Sequence, residues 1–173
     1  MAIEHEGQWG PFAYAGAPVA GTDSIQTITF GSGITGGTFK LKWDGWTTGA
    51  ITWSATNNTL IANVDAALGA LPNVVSASNV TSADGNLSSG IGTMTVTFVA
   101  ALGKRAIALM TVADNSLTGT THVVSVADTT PGVDATFRGC AIGTVVTDTT
   151  NGKAYINTGT AAAPTWTVVG SQS

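Results

Sequence analysis

An alternation of apolar and polar residues is the feature that most limits how this chain can fold. One side of an extended chain carries Phe39, Leu41 and Trp43 of the stretch TFKLKWDGW, and the other side carries its two lysines. Asp44 and Gly45 follow, and this pair favours a tight turn because glycine adopts a positive φ without steric cost. The pattern therefore predicts an antiparallel hairpin with one buried face.

Further strand signals recur along the chain, separated by stretches rich in turn residues. The predicted strands are SIQTITF, AITW, VVSASNV, TMTVTFV, AIALMTV and HVVSVA. The predicted connections among the later strands are SADGNLSSG, ALGKR and DNSLTGT. Strands joined by such short connections are expected to form a mostly antiparallel sheet or sandwich.

One stretch, TNNTLIANVDAALGALPN, departs from the strand pattern. Its larger apolar residues share one stripe of a helix, and they are Leu60, Ile61, Val64, Leu68 and Leu71. Thr56 or Asn57 can cap the start of this helix, and Pro72 ends it. The sequence thus predicts one amphipathic helix, at about residues 57–71, that packs across a sheet.

The chain divides into three segments on these signals. Residues 1–21 show neither the strand period nor the helix period, and we expect an extended N-terminal arm. Residues 22–130 form the β-rich domain with its helix. Residues 131–173 form a linker and a C-terminal β-hairpin or meander that turns at Asn151 and Gly152. The predicted fold class is therefore mainly β (α+β).

Both terminal segments carry apolar side chains that need a partner surface. Large aromatic groups gain free energy by burial, so the arm is expected to lie on its own domain or on a neighbour. A closing element of about 25 residues is too small for a lone core, so it is expected to pack on the first domain or on other copies. The interface candidates are Trp9, Phe12 and Tyr14 in the arm and Tyr155, Ile156 and Trp166 in the closing element.

Charged residues are scarce in this chain. They make up 9% of the sequence, against about 25% in an average globular protein. A surface with so few charges favours coverage in an assembly. The net charge of −4 and the presence of only six basic residues exclude a phosphate-neutralising stripe, so no nucleic-acid partner is expected.

The sequence offers weak candidates for chemistry. The stretch GSGITG at residues 31–36 matches a dinucleotide motif, but a strand pattern follows it where that site requires a helix. His5 and His122 lie far apart, and Cys140 is the only cysteine in the chain. We therefore expect no enzyme activity, no cofactor and no metal.

The first ten residues, MAIEHEGQWG, carry acidic side chains where a secretory signal would need basic ones followed by an apolar run. No stretch of the chain approaches the 18 or so apolar residues of a membrane span. The expectation is synthesis in a cytoplasm and no membrane partner.

Two stretches resemble modules of structural proteins of tailed bacteriophages. The first spans about residues 20–133 and combines a hairpin, a helix and a later strand, with matches at Thr38, Phe39, Leu41, Gly45, Leu68, Leu71, Val96 and Phe98. The second, IGTVVTDTTNGKAYINTGTAAAPTWTVVG, is similar to a terminal β-element of phage head-decoration, fibre and tail proteins. Its matches are Gly143, Asp148, Gly152, Tyr155, Asn157, Thr158, Gly159, Thr160 and Trp166.

This resemblance implies a virion structural protein of the head decoration, or cement, type. Such a protein is made in the host cytoplasm, binds the major capsid protein of the assembled head shell, bridges capsomers and associates with itself, as a homotrimer, on the capsid surface. Two alternatives stay open. One is a small tail, tail-tip or fibre subunit, and the other is a host-surface carbohydrate-binding module in which Trp43, Trp46 or Trp53 stacks on sugar rings.

Overall fold

The computed structural model describes residues 12–170. In chain order the elements are β1 (Phe12–Tyr14), β2 (Ile25–Phe30), β3 (Ile34–Trp43), β4 (Trp46–Thr47), β5 (Ile51–Thr52), α1 (Asn57–Gly69), β6 (Val80–Ser88), β7 (Ile91–Phe98), β8 (Thr111–Gly119), β9 (Val124–Thr130), β10 (Val145–Asp148), β11 (Lys153–Asn157) and β12 (Trp166–Val168). Strands predominate over the helix, which confirms the predicted mainly β (α+β) class.

The chain divides into two compact units. The larger unit is Thr22–Val133, and the smaller unit combines the described residues up to Gly21 with those from Asp134 onward. The sequence assigns the arm and the closing meander to separate segments, 1–21 and 131–173, whereas the structure joins them in one unit. The partner that the meander requires is therefore supplied, at least in part, by the start of the same chain.

Two antiparallel sheets build the larger unit. One has the strand order β6-β7-β2-β9. The other is centred on β3, which pairs with β4 and β5 along one edge and with β8 along the other. The long strand β3 therefore organises one sheet, and the adjacent strands β2 and β7 organise the other.

The apolar residues of the alternation in the sequence form a core that the two sheets share. Buried side chains recur at every second residue of β2, of β3 from Phe39 onward, and of the second half of β7. The rings of Phe30 and Phe39 contact each other edge to face with their centroids 5.4 Å apart, and the ring centroids of Trp43 and Phe98 lie 5.1 Å apart. Both contacts join one sheet to the other, so the two sheets bury a single apolar layer.

The helix covers part of the same core. Its buried side chains, Leu60, Val64 and Leu68, recur at every fourth residue and form the predicted stripe. The helix ends at Gly69, two residues earlier than predicted, although Leu71 is still buried. Pro72 accounts for the earlier end, because a proline disfavours the α conformation of the residue before it.

The predicted hairpin turn is present between β3 and β4. Asp44 and Gly45 both have positive φ, at 47° and 83°, as a two-residue turn of this hand requires. The return strand is interrupted after β4, where Thr48 is buried and its hydroxyl oxygen accepts a hydrogen bond from the Leu41 amide at 3.0 Å. The turn prediction is confirmed, and Thr48, between β4 and β5, is hydrogen-bonded to Leu41 of β3.

Two later strands lie where the sequence suggested connections. The predicted strand VVSASNV is mostly turn and short 3-10 helix, and β6 instead contains the polar run SADGNLS. The Asp84 carboxylate accepts a hydrogen bond from the Leu87 amide at 2.7 Å, beside a register shift between Asp84 and Asn86. A bulge therefore accommodates turn-like residues within the strand. Likewise, β8 contains DNSLTG and begins only at Thr111, so the strand predicted from AIALMTV was placed too early.

We predict that Phe98→Ala destabilises the larger unit by about 3–5 kcal/mol, because Phe98 is fully buried against Trp43. Val123→Ala is the control, since Val123 is 55% exposed, and it should change stability by no more than about 0.5 kcal/mol. Denaturant unfolding of the full chain measures both. Equal effects of the two variants would contradict the assigned core.

Candidate interaction surface

The smaller unit contains a four-stranded sheet made from both ends of the chain. Its order is β1-β10-β11-β12. Strands β10, β11 and β12 form an antiparallel meander, and β1 adds to it in parallel, with Ala13 opposite Thr147. This sheet contains most of the residues that the sequence marked as interface candidates, so its geometry decides which of them act together.

Asp148, at the end of β10, fastens β1 to the meander. Its side chain is fully buried. One carboxylate oxygen accepts hydrogen bonds from the backbone amides of Gly16 at 3.1 Å, Thr150 at 2.9 Å and Asn151 at 3.1 Å. The other accepts from the side-chain amide of Asn151 at 2.7 Å. One carboxylate therefore organises the turn after β10 and binds the chain that follows β1.

These hydrogen bonds favour the ionised form of Asp148. The side-chain amide of Asn151 is the largest cause of a lowered pKa, and the amides of Asn151, Thr150 and Gly16 act in the same direction. Burial opposes them by raising the pKa, but the net direction is downward from the ordinary value of 3.8. Asp148 is therefore a carboxylate at neutral pH.

Asn157, at the end of β11, is hydrogen-bonded to two loops. One precedes β10, and the other joins β11 to β12. The side chain is fully buried. Its oxygen accepts hydrogen bonds from the amides of Gly159 at 2.9 Å and Thr165 at 3.0 Å. Its nitrogen donates to the carbonyls of Cys140 at 2.9 Å and Ala141 at 3.3 Å. Asp148 and Asn157, two matches of the phage-like closing motif, thus act as buried polar anchors of the fold.

A row of aromatic side chains lies on the sheet. The Phe137 ring contacts the Tyr14 ring edge to face at 5.2 Å between centroids, and it contacts the Trp166 ring at 6.1 Å. The Trp166 indole nitrogen also donates to the Thr136 carbonyl at 3.3 Å. Two predicted interface residues, Tyr14 and Trp166, are therefore joined through Phe137, which was not among the predicted interface residues because it precedes the motif of the closing element.

The strand register separates the candidates onto two faces. One face carries the anchors and the larger rings, and its residues are Tyr14, Val146, Asp148, Lys153, Tyr155, Asn157, Trp166 and Val168. The opposite face, which we call the open face, consists of Ala13, Val145, Thr147, Ala154, Ile156 and Thr167. All six residues are small or β-branched and uncharged, and each is half-buried or exposed.

The predicted interface residues accordingly do not form one cluster. Tyr155 and Trp166 lie on the anchor-bearing face, whereas Ile156 lies on the open face. All three are half-buried. The backbone of Phe12 pairs with Val146 in β1, and Trp9 lies outside the described residues. The role of these residues in contacts with other molecules stays a prediction.

Exposed apolar residues of this unit lie along one edge of the sheet and in the loop before β10. Strand β12 ends the strand order, and Val168 and Val169 are 42% and 41% exposed. Ile142, in the loop before β10, is 68% exposed. Edge strands that avoid association commonly carry charged residues or proline. The residues of β12 are Trp, Thr and Val, so this edge lacks those protective features.

The other residues considered for chemistry lie apart. The stretch GSGITG connects β2 directly to β3, so a strand follows it as the sequence indicated. His122 is exposed, with its Nδ1 atom 3.1 Å from the Gly119 carbonyl oxygen, and Cys140 is half-buried. His5 lies outside the described residues. Among residues 12–170, no three His, Cys, Asp or Glu side chains converge as a metal site would require.

The three tryptophans considered for sugar stacking differ in exposure. Trp43 is buried in the core. Trp53 is half-buried, and its indole nitrogen donates to the Gly90 carbonyl at 3.0 Å. Trp46, beside the Asp44-Gly45 turn, is 50% exposed. Only Trp46 of these three presents a large part of its surface.

In the part of the chain that the structure covers, no helix is long and apolar enough to cross a membrane.

Comparison with known proteins adds little to this description. No protein-family model matches the sequence, and no curated protein matches it. Among solved structures, a chain described as Mycobacterium phage Patience is similar, with a TM-score of 0.43 and 15% sequence identity. The alignment covers 88% of this chain and 57% of that one, so this chain spans less than two thirds of the neighbour's length. A similarity at this level shows neither a shared fold nor a shared function.

We predict that Asp148 titrates below its ordinary pKa of 3.8. Because the folded-state pKa is depressed, the carboxylate stabilises the fold fully above about pH 4, and this contribution is lost as the pH falls through the folded-state pKa. An NMR titration of the Gly16 and Thr150 amide resonances measures the midpoint. Asp148→Asn should abolish the titration, and a wild-type midpoint at or above the ordinary value would contradict the arrangement.

Proposed function

We propose that this chain is a capsid decoration protein of a tailed bacteriophage, which binds the assembled head shell and stabilises it by bridging neighbouring capsomers. Its partners in this proposal are the major capsid protein and further copies of the chain, as a homotrimer on the outer surface of the virion. The protein acts by binding and not as an enzyme. The closing motif and the module at residues 20–133, which resemble phage structural proteins, support this class of function.

The observation that carries the proposal is the uncharged open face of the sheet that β1 forms with the closing meander. The open face offers side chains of Ala, Val, Thr and Ile, and the β12 edge adds exposed Val168 and Val169. Burial of such residues against another protein desolvates no charge, so apolar contact is favourable with little cost. An enzyme site, by contrast, would need convergent titratable groups.

Shell binding by such a surface follows from geometry and copy number. A decoration site that spans two capsomers exists only after assembly, so binding stabilises the assembled shell relative to free subunits by mass action. Association of several copies raises the effective concentration of each contact, so contacts of modest strength suffice. The absence of charge on the open face suits this use, because salt does not screen a contact between uncharged residues.

We predict that a charge on the open face abolishes shell binding. Ala13→Asp and Thr167→Asp each add a carboxylate at an exposed position of the sheet, and either change should weaken binding about tenfold or more because the charge must be desolvated. Ala83→Asp is the matched control, an exposed alanine in a strand of the larger unit. Co-sedimentation with expanded empty heads of the encoding phage measures binding.

The outcomes of this experiment separate the alternatives. Binding of wild type and Ala83→Asp to heads, with loss in the open-face variants, supports the proposal. Equal binding of all variants would show that the open face is not the contact. Wild-type binding to purified tails and not to heads would replace the decoration role with that of a tail or tail-tip subunit.

The N-terminal arm can be tested separately from the sheet. Deletion of residues 1–11 removes Trp9 but retains β1, whereas deletion of residues 1–15 also removes β1 from its place beside β10. We predict that the shorter deletion weakens shell binding, and circular dichroism checks that the shortened protein is folded. Shell binding equal to that of wild type would show that Trp9 makes no contact with a neighbour.

A second candidate function, recognition of host-surface carbohydrate, rests on Trp46. Its half-exposed indole lies next to a tight turn, where it can stack on a sugar ring. A glycan array probed with wild type and Trp46→Ala tests this candidate. Binding that depends on Trp46 supports it, and the absence of any wild-type binding removes it.

A further inference from the structure

The turn between β10 and β11 contains the only Asn-Gly pair in the sequence. Asn151 and Gly152 are both exposed. This dipeptide is chemically labile, because glycine has no side chain to hinder attack of its backbone nitrogen on the preceding asparagine side chain. The product of that attack is a cyclic succinimide, which water opens to aspartate or isoaspartate. The pair is therefore a site of deamidation, and the rate of that reaction depends on the local geometry.

The folded turn keeps the reacting groups occupied. The Asn151 side-chain nitrogen donates to an Asp148 carboxylate oxygen at 2.7 Å. The Gly152 backbone amide, which must lose its proton to attack, donates to the Asp148 carbonyl at 2.8 Å. Attack requires the Asn151 side chain to turn back toward this nitrogen, and both hydrogen bonds oppose that movement. Deamidation therefore needs the turn to open first.

We propose that Asn151 is a deamidation site that Asp148 protects while the turn is closed, and that its modification releases the turn and β1 together. In the reaction, the Gly152 nitrogen forms a bond to the Asn151 Cγ atom and the bond from Cγ to the side-chain nitrogen breaks. The side-chain NH2 group leaves as ammonia, with one proton that replaces the proton lost from the Gly152 nitrogen, and a further proton from solvent converts the ammonia to ammonium. One solvent water then adds across a succinimide carbonyl and opens the ring. No oxidant or cofactor takes part.

The consequence follows from the charge that the reaction creates. A carboxylate replaces the amide that donated to Asp148, so Asp148 loses a hydrogen-bond donor and faces a like charge at close range. The same Asp148 carboxylate accepts the hydrogen bond from Gly16, which follows β1. The turn and the added strand therefore weaken together, and because the reaction is not reversed by solvent, the change is one-way. This inference does not depend on the proposed role in a virion.

The first test compares deamidation rates. Full-length protein and a synthetic peptide of residues 147–154 are incubated at mildly alkaline pH, and mass spectrometry follows the conversion of Asn151. Because modification requires opening, the folded protein should react about tenfold or more slowly than the peptide. Asp148→Ala should react at a rate close to that of the peptide. The exposed Asn115-Ser116 pair in β8 serves as an internal control for general loss of structure.

Equal rates in the wild-type protein and the peptide would overturn the protective role of the turn. This comparison uses no variant, so it remains decisive if Asp148→Ala fails to fold. A rate for Asp148→Ala equal to that of folded wild type, in a protein that folds, would also overturn it.

The second test measures the consequence of the charge. Asn151→Asp places the product carboxylate beside Asp148, and Asn151→Ala removes the donor without adding charge. Hydrogen exchange of the Gly16 amide, bonded to Asp148, and of the Thr149 amide, bonded to the Tyr14 carbonyl at 2.8 Å, reports on β1. Exchange should be about tenfold faster in Asn151→Asp than in Asn151→Ala. Equal exchange in the two variants would contradict release by charge.

Discussion

One buried carboxylate holds the two ends of this chain together. A charge removed from water is costly unless hydrogen bonds replace its hydration, and Asp148 receives such bonds from Gly16, Thr150 and Asn151. Two of these donors belong to the turn after β10, and the third follows β1. The turn after β10 and the added strand are therefore bonded to the same carboxylate, beside the backbone pairing of β1 with β10.

This arrangement also separates the polar and the uncharged residues of the smaller unit. A meander of about 25 residues has too little apolar surface to be stable alone, and β1 extends it to four strands. The polar anchors Asp148 and Asn157 lie on one face, where their hydrogen bonds are internal. The opposite face is left with uncharged, small or β-branched residues, which suit contact with another protein more than contact with a charged ligand.

Sequence patterns predicted the regular parts of the fold because those parts depend on local order. The alternation in β2, β3 and β7, the helical stripe at Leu60, Val64 and Leu68, and the Asp44-Gly45 turn all follow from neighbouring residues. The strands β6 and β8 were misplaced because bulges let polar, turn-like residues enter a strand. Hydrogen bonding to a partner strand decides where β6 and β8 begin and end, and a pattern of neighbouring residues does not show that pairing.

The candidate surface was harder to predict for the same reason. The alternation along β11 places Tyr155 and Ile156 on opposite faces, as the sequence already indicates. The pairing of β1 with β10 joins residues more than 130 positions apart in the chain, and the three residues of β1 have no period that reveals it. In the sequence, Asp148 resembles an ordinary turn residue. Its hydrogen bond to the distant Gly16 is shown only by the structure.

The pairing of β1 with β10 is the central structural claim, and a cross-link tests it most directly. Ala13 and Thr147 are opposite each other in this pairing, so a variant carrying Ala13→Cys and Thr147→Cys, with Cys140→Ser to remove the native thiol, should form a disulfide within one chain on mild oxidation. A variant with Ala13→Cys and Thr167→Cys in the same background should not, because β1 and β12 are three strands apart in the same sheet. Failure of the first pair to cross-link, or cross-linking only between chains, would contradict the account.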